Sequence, residues 1–216
     1  AETLDTHIAL GNLLRRNGEV DRAIRIHENL LSRPSLPSRH LHHAHLELAR
    51  DYISAGLLDR AESLLQDLVV ESAEQKITSL KHLLEIYQDE KDWEKAIEIA
   101  KGLLPRKSLV SSEDESRQVL VALSHYLCET AETYISANDT QQARSALKEA
   151  LEYDKKCVRA SLLLAEIEAR CNNFKLAIKA LKRVRFQDSE YIPETVELLH
   201  KCYLELGDRG GLHSYL

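Results

Sequence analysis

A short pattern recurs along this chain and constrains its fold more than any other feature: a polar or glycine-containing break followed by an alanine inside an apolar helical stripe. In residues 10–31, LGNLLRRNGEVDRAIRIHENLL, the break at Asn17-Gly18 separates two such stripes. Their spacing of three to four residues predicts two amphipathic helices. Gly11 and Ala23 are small enough to let the helices cross closely. Because one pair cannot bury both stripes, it needs further pairs stacked beside it.

The pattern returns five times at a nearly constant period. The alanine positions are separated by 38, 35, 47, 34 and 35 residues. They are Ala23, Ala61, Ala96, Ala143 and Ala177, with Leu212 in the sixth copy. A second position, in the helix before each break, holds Tyr52, Tyr87, Tyr134 and Tyr203, with Leu14 and Glu168 in the other copies. A period near 34 residues resembles the tetratricopeptide-repeat family. That resemblance predicts an all-α, right-handed α-solenoid of about six helix pairs.

We place the repeats at about residues 4–37, 42–75, 77–110, 124–157, 158–191 and 193–216, the last one partial. Residues 107–116, KSLVSSEDES, form a predicted polar linker that explains the 47-residue spacing. Ser112 and Glu115 within it predict a capping box that starts a long helix near residue 116. The chain starts without Met and is cut within helical patterns at both ends, so we interpret it as a piece excised from a longer protein.

Charge and composition exclude several classes of function. The formal charge of −6 argues against a protein that binds nucleic acid along its repeats. No stretch is long and apolar enough for a membrane span, and no secretory signal opens the chain. No nucleophile elbow, phosphate loop or HExxH motif occurs, so we expect no catalysis and no cofactor in this fragment. The four cysteines form no CxxC pair and are interpreted as reduced, packed thiols.

A histidine-rich segment, RHLHHAH at residues 39–45, is the most tempting metal site. His42 and His45 lie three residues apart and share a helix face, while His43 lies on another. Transition-metal sites usually need three or four converging ligands. We therefore interpret the segment as a polar helix start and predict no metal site.

The first helices of tetratricopeptide pairs line a concave surface, and this is where we predict protein binding. The candidate residues are Asn12, Arg15, Arg16, His43, Arg50, Lys81, Glu85 and Gln88. Arg15, Arg50 and Lys81 would make the first half of this groove basic and suited to carboxylate-bearing segments of a partner. Asn12 matches part of the carboxylate clamp of some family members, but Arg50 occupies the next equivalent position. The alternative is an ordinary solvated helix face.

A narrower resemblance rests on the string of residues 10–31 together with ARDYISAGLLDRAESLLQDL and KHLLEIYQDEKDWEKAI. These strings resemble the lipopolysaccharide assembly protein B family, and the match covers the repeat array only. The resemblance implies a cytoplasmic array on a protein anchored in the bacterial inner membrane, with a rubredoxin-like domain holding zinc or iron outside this fragment. It also implies an adaptor that couples a membrane-anchored ATP-dependent protease to the lipid A pathway deacetylase and so limits lipopolysaccharide synthesis.

Two other functions stay open from the sequence. The array could be the substrate-recognition arm of a larger enzyme, such as a glycosyltransferase, or a structural oligomer scaffold. A homodimer of the parent protein is also open. No nucleic acid is expected as a partner, and no membrane contact is expected within this fragment.

Overall fold

The structure, a computed structural model, describes residues 2–34, 36–104 and 113–208, and in them it contains eleven α-helices, one 3₁₀ turn and no strand. The all-α class is therefore as predicted. The helices are α1 (Glu2–Arg16), α2 (Val20–Leu31), α3 (Ser38–Ser54), α4 (Leu58–Glu71), α5 (Lys76–Asp89), α6 (Trp93–Leu103), α7 (Glu113–Ser136), α8 (Thr140–Tyr153), α9 (Val158–Arg170), α10 (Phe174–Gln187) and α11 (Ile192–Glu205). The 3₁₀ turn is Ser189–Tyr191.

Every predicted break ends its first helix in the same way. A residue with positive φ follows the helix, for example Gly18 at 82° and Asn138 at 59°. The next N–H then donates back to a carbonyl five residues earlier at 2.8–3.0 Å, which is the closing bond of a Schellman motif. The six accepting residues are Leu14, Tyr52, Tyr87, Tyr134, Glu168 and Tyr203. These six residues, assigned to one repeat position from the sequence, therefore share one structural position at the end of their helices.

The described residues form two compact units that divide between Lys95 and Ala96. In the first unit α1 packs on α2, α2 on α3, α3 on α4 and α4 on α5. In the second unit α7 packs on α8, α8 on α9, α9 on α10 and α10 on α11. The five repeat alanines have no solvent exposure. Each unit thus buries the small residues that permit close helix packing.

Side-chain hydrogen bonds between neighbouring repeats also recur at a nearly fixed sequence spacing. The hydroxyl of Tyr52 donates to Glu28 at 3.0 Å, and the hydroxyl of Tyr87 donates to Glu62 at 2.8 Å. In the second unit the donor and the acceptor exchange places. Arg144 on α8 donates to Glu168 on α9 at 2.6 and 3.1 Å. In all three cases the partners lie 24 or 25 residues apart and join the second helix of one repeat to the first helix of the next.

The predicted linker lies largely outside the described residues. Residues 107–112, including Ser112 of the expected capping box, are not among them, nor are residues 209–216, where the second part of the sixth repeat was predicted. At 24 residues α7 is the longest described helix, as expected, but it begins at Glu113 rather than near 116. Acidic residues are favoured in the first turn of a helix, which explains why the acidic end of the linker sequence is helical.

Candidate protein-interaction surface

The best-defined polar contacts in the first unit centre on Arg15 at the end of α1. Its guanidinium donates to Asp51 Oδ1 at 2.7 Å and to Glu47 Oε2 at 2.8 Å. It also donates to the backbone carbonyl of Glu47 at 3.2 Å. Glu47 and Asp51 lie one turn apart on α3, so that both carboxylates share one helix face. Because the Arg15 side chain is only 15% exposed and doubly paired, it links two repeats rather than standing as a free cation.

The second oxygen of Asp51 meets a buried histidine. His27 Nδ1 on α2 lies 2.6 Å from Asp51 Oδ2, and neither side chain is exposed. The other ring nitrogen, Nε2, has no hydrogen-bond partner in the described part of the chain. Gly11 on α1 faces this ring, and a Cβ added there would lie 2.5 Å from two of its atoms. The close approach predicted at Gly11 is real, and the group that approaches it is His27.

Glu47 extends these contacts to the third repeat. Its Oε1 accepts from Arg50 Nη1 at 2.6 Å, and Arg50 Nε donates to His82 Nε2 at 3.1 Å. His82 Nδ1 in turn lies 2.9 Å from Glu85 Oε2 on α5. The result is one connected set, here called the charge network, that crosses three repeats. Its members are His27, Asp51, Arg15, Glu47, Arg50, His82 and Glu85.

Glu47 and Arg15 in the charge network are held in their charged forms. Burial alone would raise the pKa of Glu47, but the hydrogen bond from Arg15 and the charge of Arg50 bring it below the ordinary value of 4.5. Burial likewise opposes the charge on Arg15, yet its bonds to Glu47 and Asp51 raise its pKa. The basic groove predicted from the sequence did not include Glu47 and Asp51 of α3, whose carboxylates bind Arg15 and, for Glu47, Arg50.

The other predicted groove residues have varied surroundings. Asn12 is partly buried, and its Oδ1 has no hydrogen-bond partner among the described residues. His43 is partly exposed, with its Nε2 3.8 Å from Glu47 Oε1. The remaining predicted residues are exposed: Arg16, Lys81, Glu85 and Gln88.

A groove of about 510 Å³ lies between the first helices of the first unit. Of the eight predicted residues it brings together only His43 and Arg50; the other six do not line it. At one end Arg39 donates to Glu74 at 3.2 Å, and both side chains are mostly exposed. The enclosed Nδ1 of His40 has no partner among the described residues. The full lining is Asp5, Arg39, His40, His43, Leu46, Glu47, Arg50, Glu74, Gln75 and Thr78.

The histidine-rich segment does not converge on a metal site in the described residues, where no three or more histidine, cysteine or acidic side chains are grouped to hold an ion. His42 Nε2 lies 4.0 Å from Glu71. His45 is half-buried, and burial lowers its pKa below the ordinary 6.5. His40 and His43 instead line the groove described above.

A second groove, of about 800 Å³, lies between α8 and α10 in the second unit and was not foreseen. Its lining includes Leu151 and Leu164 together with the cations Lys179 and Arg183. Phe186 at its edge is 84% exposed. The fold thus presents a second surface of cationic and apolar character, built largely from the second helices α8 and α10.

Comparison with known families agrees with the repeat assignment. The tetratricopeptide repeat profile matches residues 6–38 and 134–202. A solved tetratricopeptide repeat protein from Parabacteroides merdae ATCC 43184 has a TM-score of 0.53 at 17% identity, covering 100% of this chain and 78% of that one. The assembly chaperone of RpL4 has a TM-score of 0.51 at 13% identity, covering 98% and 87%. These likenesses establish the tetratricopeptide-repeat fold.

The curated relatives carry one shared name. Lipopolysaccharide assembly protein B of Escherichia coli (strain K12) is 38% identical over 205 residues, which are 95% of this chain and 50% of that protein. The Haemophilus influenzae protein of the same name is 35% identical over 212 residues, covering 98% and 51%. The resemblance seen in the sequence is therefore confirmed, and the chain spans about half the length of these relatives. None of the described helices is long and apolar enough to cross a bilayer.

Proposed function

We propose that this chain is the protein-docking array of a non-catalytic adaptor that acts in lipopolysaccharide synthesis. The relatives named lipopolysaccharide assembly protein B support the pathway, and the tetratricopeptide fold, whose repeats generally mediate protein contacts, supports the docking role. In this proposal the adaptor couples a membrane-anchored ATP-dependent protease to the lipid A pathway deacetylase. The parent protein would be anchored in the bacterial inner membrane with the array on the cytoplasmic side. A rubredoxin-like metal domain would lie outside these residues.

The observation that carries the docking proposal is the 510 Å³ groove of the first unit. Arg39, His40 and His43 supply hydrogen-bond donors, and Glu47 and Glu74 supply acceptors, along one groove. Such a lining suits an extended polar segment whose carboxylates face the cationic side chains, since charge-assisted hydrogen bonds are the stronger ones. A leucine, Leu46, adds a small apolar surface.

The charge network preorganises one side of this groove by fixing Arg50. Arg50 is held on one side by Glu47 and on the other by His82, so its position does not need to be ordered when a partner binds. Ordering a long side chain on binding costs about 0.5–1.5 kcal/mol, which a preorganised arginine avoids. The same pairing means that reversing the charge of Arg50 would disturb the fold together with the surface.

The experiment therefore changes the exposed end of the groove. Arg39→Glu combined with His43→Gln, placed in the full-length parent, should weaken capture of the protease and the deacetylase at least about tenfold through lost charge-assisted bonds. Arg25→Glu on α2 is the matched control, because Arg25 is exposed, lies outside the groove and carries the same change of charge. Capture is measured by pull-down of each purified partner, and circular dichroism confirms that both variants remain folded.

Each outcome of the pull-down either supports or excludes docking at this groove. Loss of capture by the groove variant alone supports docking at this groove. If a folded groove variant captures both partners as well as the wild type does, the groove is not their binding site. In that case the same pull-down with the double variant Lys179→Glu, Arg183→Glu tests whether the partners bind the groove of the second unit.

A further inference from the structure

Two cysteines that are distant in sequence meet inside the second unit. Cys128 lies on α7, and Cys157 is the residue before α9, the first helix of the next repeat. Their sulfur atoms are 3.8 Å apart, and both residues are buried, with Cys157 retaining 4% exposure. All four cysteines are described, and this is the one pair among them joined by a sulfur–sulfur hydrogen bond. Cys171 is exposed, and Cys202 is buried elsewhere in the unit.

The two thiols differ in acidity because their surroundings differ. The hydrogen bond from Cys128 lowers the pKa of Cys157 to about 5 against the effect of burial. The backbone N–H of Ala160 at the start of α9 favours the same charged form. The same sulfur–sulfur bond, together with burial, raises the pKa of Cys128. Cys157 is thus the thiolate and Cys128 the thiol.

The charged groups that face the pair do not reverse this assignment. The charge of His125 on α7 favours the Cys157 thiolate. Arg159 on α9 favours, and Glu132 on α7 opposes, a thiolate at Cys128. Arg159 is itself bound to Glu129 at 2.6 Å and to Glu132 at 2.8 Å, so its charge is largely satisfied by α7. The two sulfur atoms thus lie within reach of each other, and their surroundings favour the thiolate at Cys157.

We propose that Cys128 and Cys157 form an oxidisable dithiol, which hydrogen peroxide converts to a disulfide joining α7 to α9. The Cys157 sulfur attacks one peroxide oxygen, the O–O bond breaks, and the departing hydroxide takes up a proton to become water. Cys157 is then a sulfenic acid. The Cys128 sulfur attacks the Cys157 sulfur, the S–O bond breaks, and the leaving hydroxide takes the Cys128 proton as a second water. Two thiols lose two electrons and two protons, and peroxide is reduced to two waters.

Disulfide formation requires a modest local movement. The sulfur separation must fall from 3.8 Å to about 2.05 Å, the length of a disulfide bond. Side-chain rotation and a small approach of α7 and α9 supply this change. The salt bridges of Arg159 with Glu129 and Glu132 already join these two helices, so the cross-link would fix an existing contact between neighbouring repeats. Oxidation should then raise the urea midpoint of the second unit, because the unfolded chain is constrained by the closed loop.

The test uses the whole 216-residue chain, reduced and then exposed to hydrogen peroxide, followed by denaturing alkylation and peptide mapping by mass spectrometry. The expected product is a linked Cys128–Cys157 peptide that has lost two hydrogens, about 2 Da, while Cys171 and Cys202 are recovered alkylated. Below pH 7 native Cys157 should react with iodoacetamide faster than Cys202. A chain in which peroxide oxidises Cys171 while Cys128 and Cys157 stay alkylated as thiols would overturn the proposal.

Variants assign the two roles. Cys128→Ser, which keeps a hydrogen-bond donor beside Cys157 but cannot form a disulfide, should leave Cys157 as a sulfenic acid that dimedone traps. Cys157→Ala should abolish trapping at Cys128. Cys171→Ser is the matched control and should form the linked peptide at the wild-type rate. Equal dimedone labelling of Cys128 and Cys157 in these two variants would refute the assigned order of attack. The wild-type peptide map decides the disulfide itself even if an alanine variant folds poorly.

Discussion

Replacing Gly11 with alanine tests whether the buried His27 is the reason for glycine at this position. An alanine is normally preferred to glycine inside a helix by about 1 kcal/mol, so Gly11→Ala would stabilise α1 if nothing else intervened. The structure predicts the opposite. A Cβ at this position would lie 2.5 Å from both Cε1 and Nε2 of His27, well inside van der Waals contact.

The magnitude follows from how little His27 can move. Its ring is fully buried, and its Nδ1 is bound to Asp51 at 2.6 Å, so relief of the clash must strain or break that bond. Overpacking a core typically costs about 1–3 kcal/mol, and a hydrogen bond to a charged group contributes about 1.5–3 kcal/mol. If the clash also breaks that bond, subtracting about 1 kcal/mol for the helix preference of alanine leaves a net loss of about 1.5–5 kcal/mol.

The assay is urea unfolding followed by emission of Trp93, which is the single tryptophan and lies in the first unit. Gly102→Ala on α6 is the matched control, because no neighbouring atom lies within 4 Å of a Cβ there. It should be neutral or stabilising by up to about 1 kcal/mol. His27→Ala combined with Gly11→Ala should be less destabilising than the sum of the single changes. A Gly11→Ala chain as stable as wild type would refute the close contact with His27.

Three further predictions concern single positions. Because the folded-state pKa of Glu47 is depressed, its contribution to stability is present above pH 4.5 and lost as the pH falls further. Glu47→Gln should therefore reduce the fall in Tm as the pH is lowered below 4.5. A Tm that falls with pH as steeply as in the wild type would contradict this. Asp139 accepts from the N–H of Gln142 at 3.0 Å, so Asp139→Ala should cost about 1 kcal/mol in urea unfolding. Ala61 is fully buried, and Ala61→Leu should cost about 1–3 kcal/mol; an unchanged urea midpoint would contradict it.

The sequence predicted the repeats well because their breaks are encoded locally. At five of the six breaks the residue with positive φ is a glycine or an asparagine, such as Gly18, and Lys91 is the exception. The closing hydrogen bond spans only five residues. The contacts of Arg15 could not be predicted in the same way. Its carboxylate partners lie 32 and 36 residues later, and their pairing depends on how two repeats stack and which rotamers they adopt. Treating each inward side chain as solvent-facing therefore overstated the positive charge of the groove.

The period itself could have revealed some of these missed contacts. Cys128 and Cys157 lie 29 residues apart, slightly less than one repeat, and appear scattered only when they are read along the chain. Tyr52 and Tyr87 each bond to a glutamate 24 or 25 residues earlier. Comparing each polar residue with those 24 to 29 residues away, on the nearer helix of the adjacent repeat, would have proposed both sets of contacts. Burial and partner choice would still have required coordinates.

The reversed pair in the second unit gives the last prediction. Glu168 is nearly buried and relies on Arg144 and Asn173, which together hold its pKa below 4.5 although burial alone would raise it. Arg144→Ala should cost about 2–3 kcal/mol, because it leaves a buried carboxylate poorly paired. Glu28→Ala should cost less than about 1 kcal/mol, because the carboxylate that bonds to Tyr52 is exposed.

A repair variant separates lost pairing from general damage. Arg144→Glu with Glu168→Tyr recreates the tyrosine–glutamate arrangement of the first unit and should unfold at a higher urea concentration than Arg144→Ala. Urea midpoints by circular dichroism measure all three variants. If Arg144→Ala is no more destabilising than Glu28→Ala, the buried charge at Glu168 does not need its arginine, and the equivalence of these inter-repeat pairs is wrong.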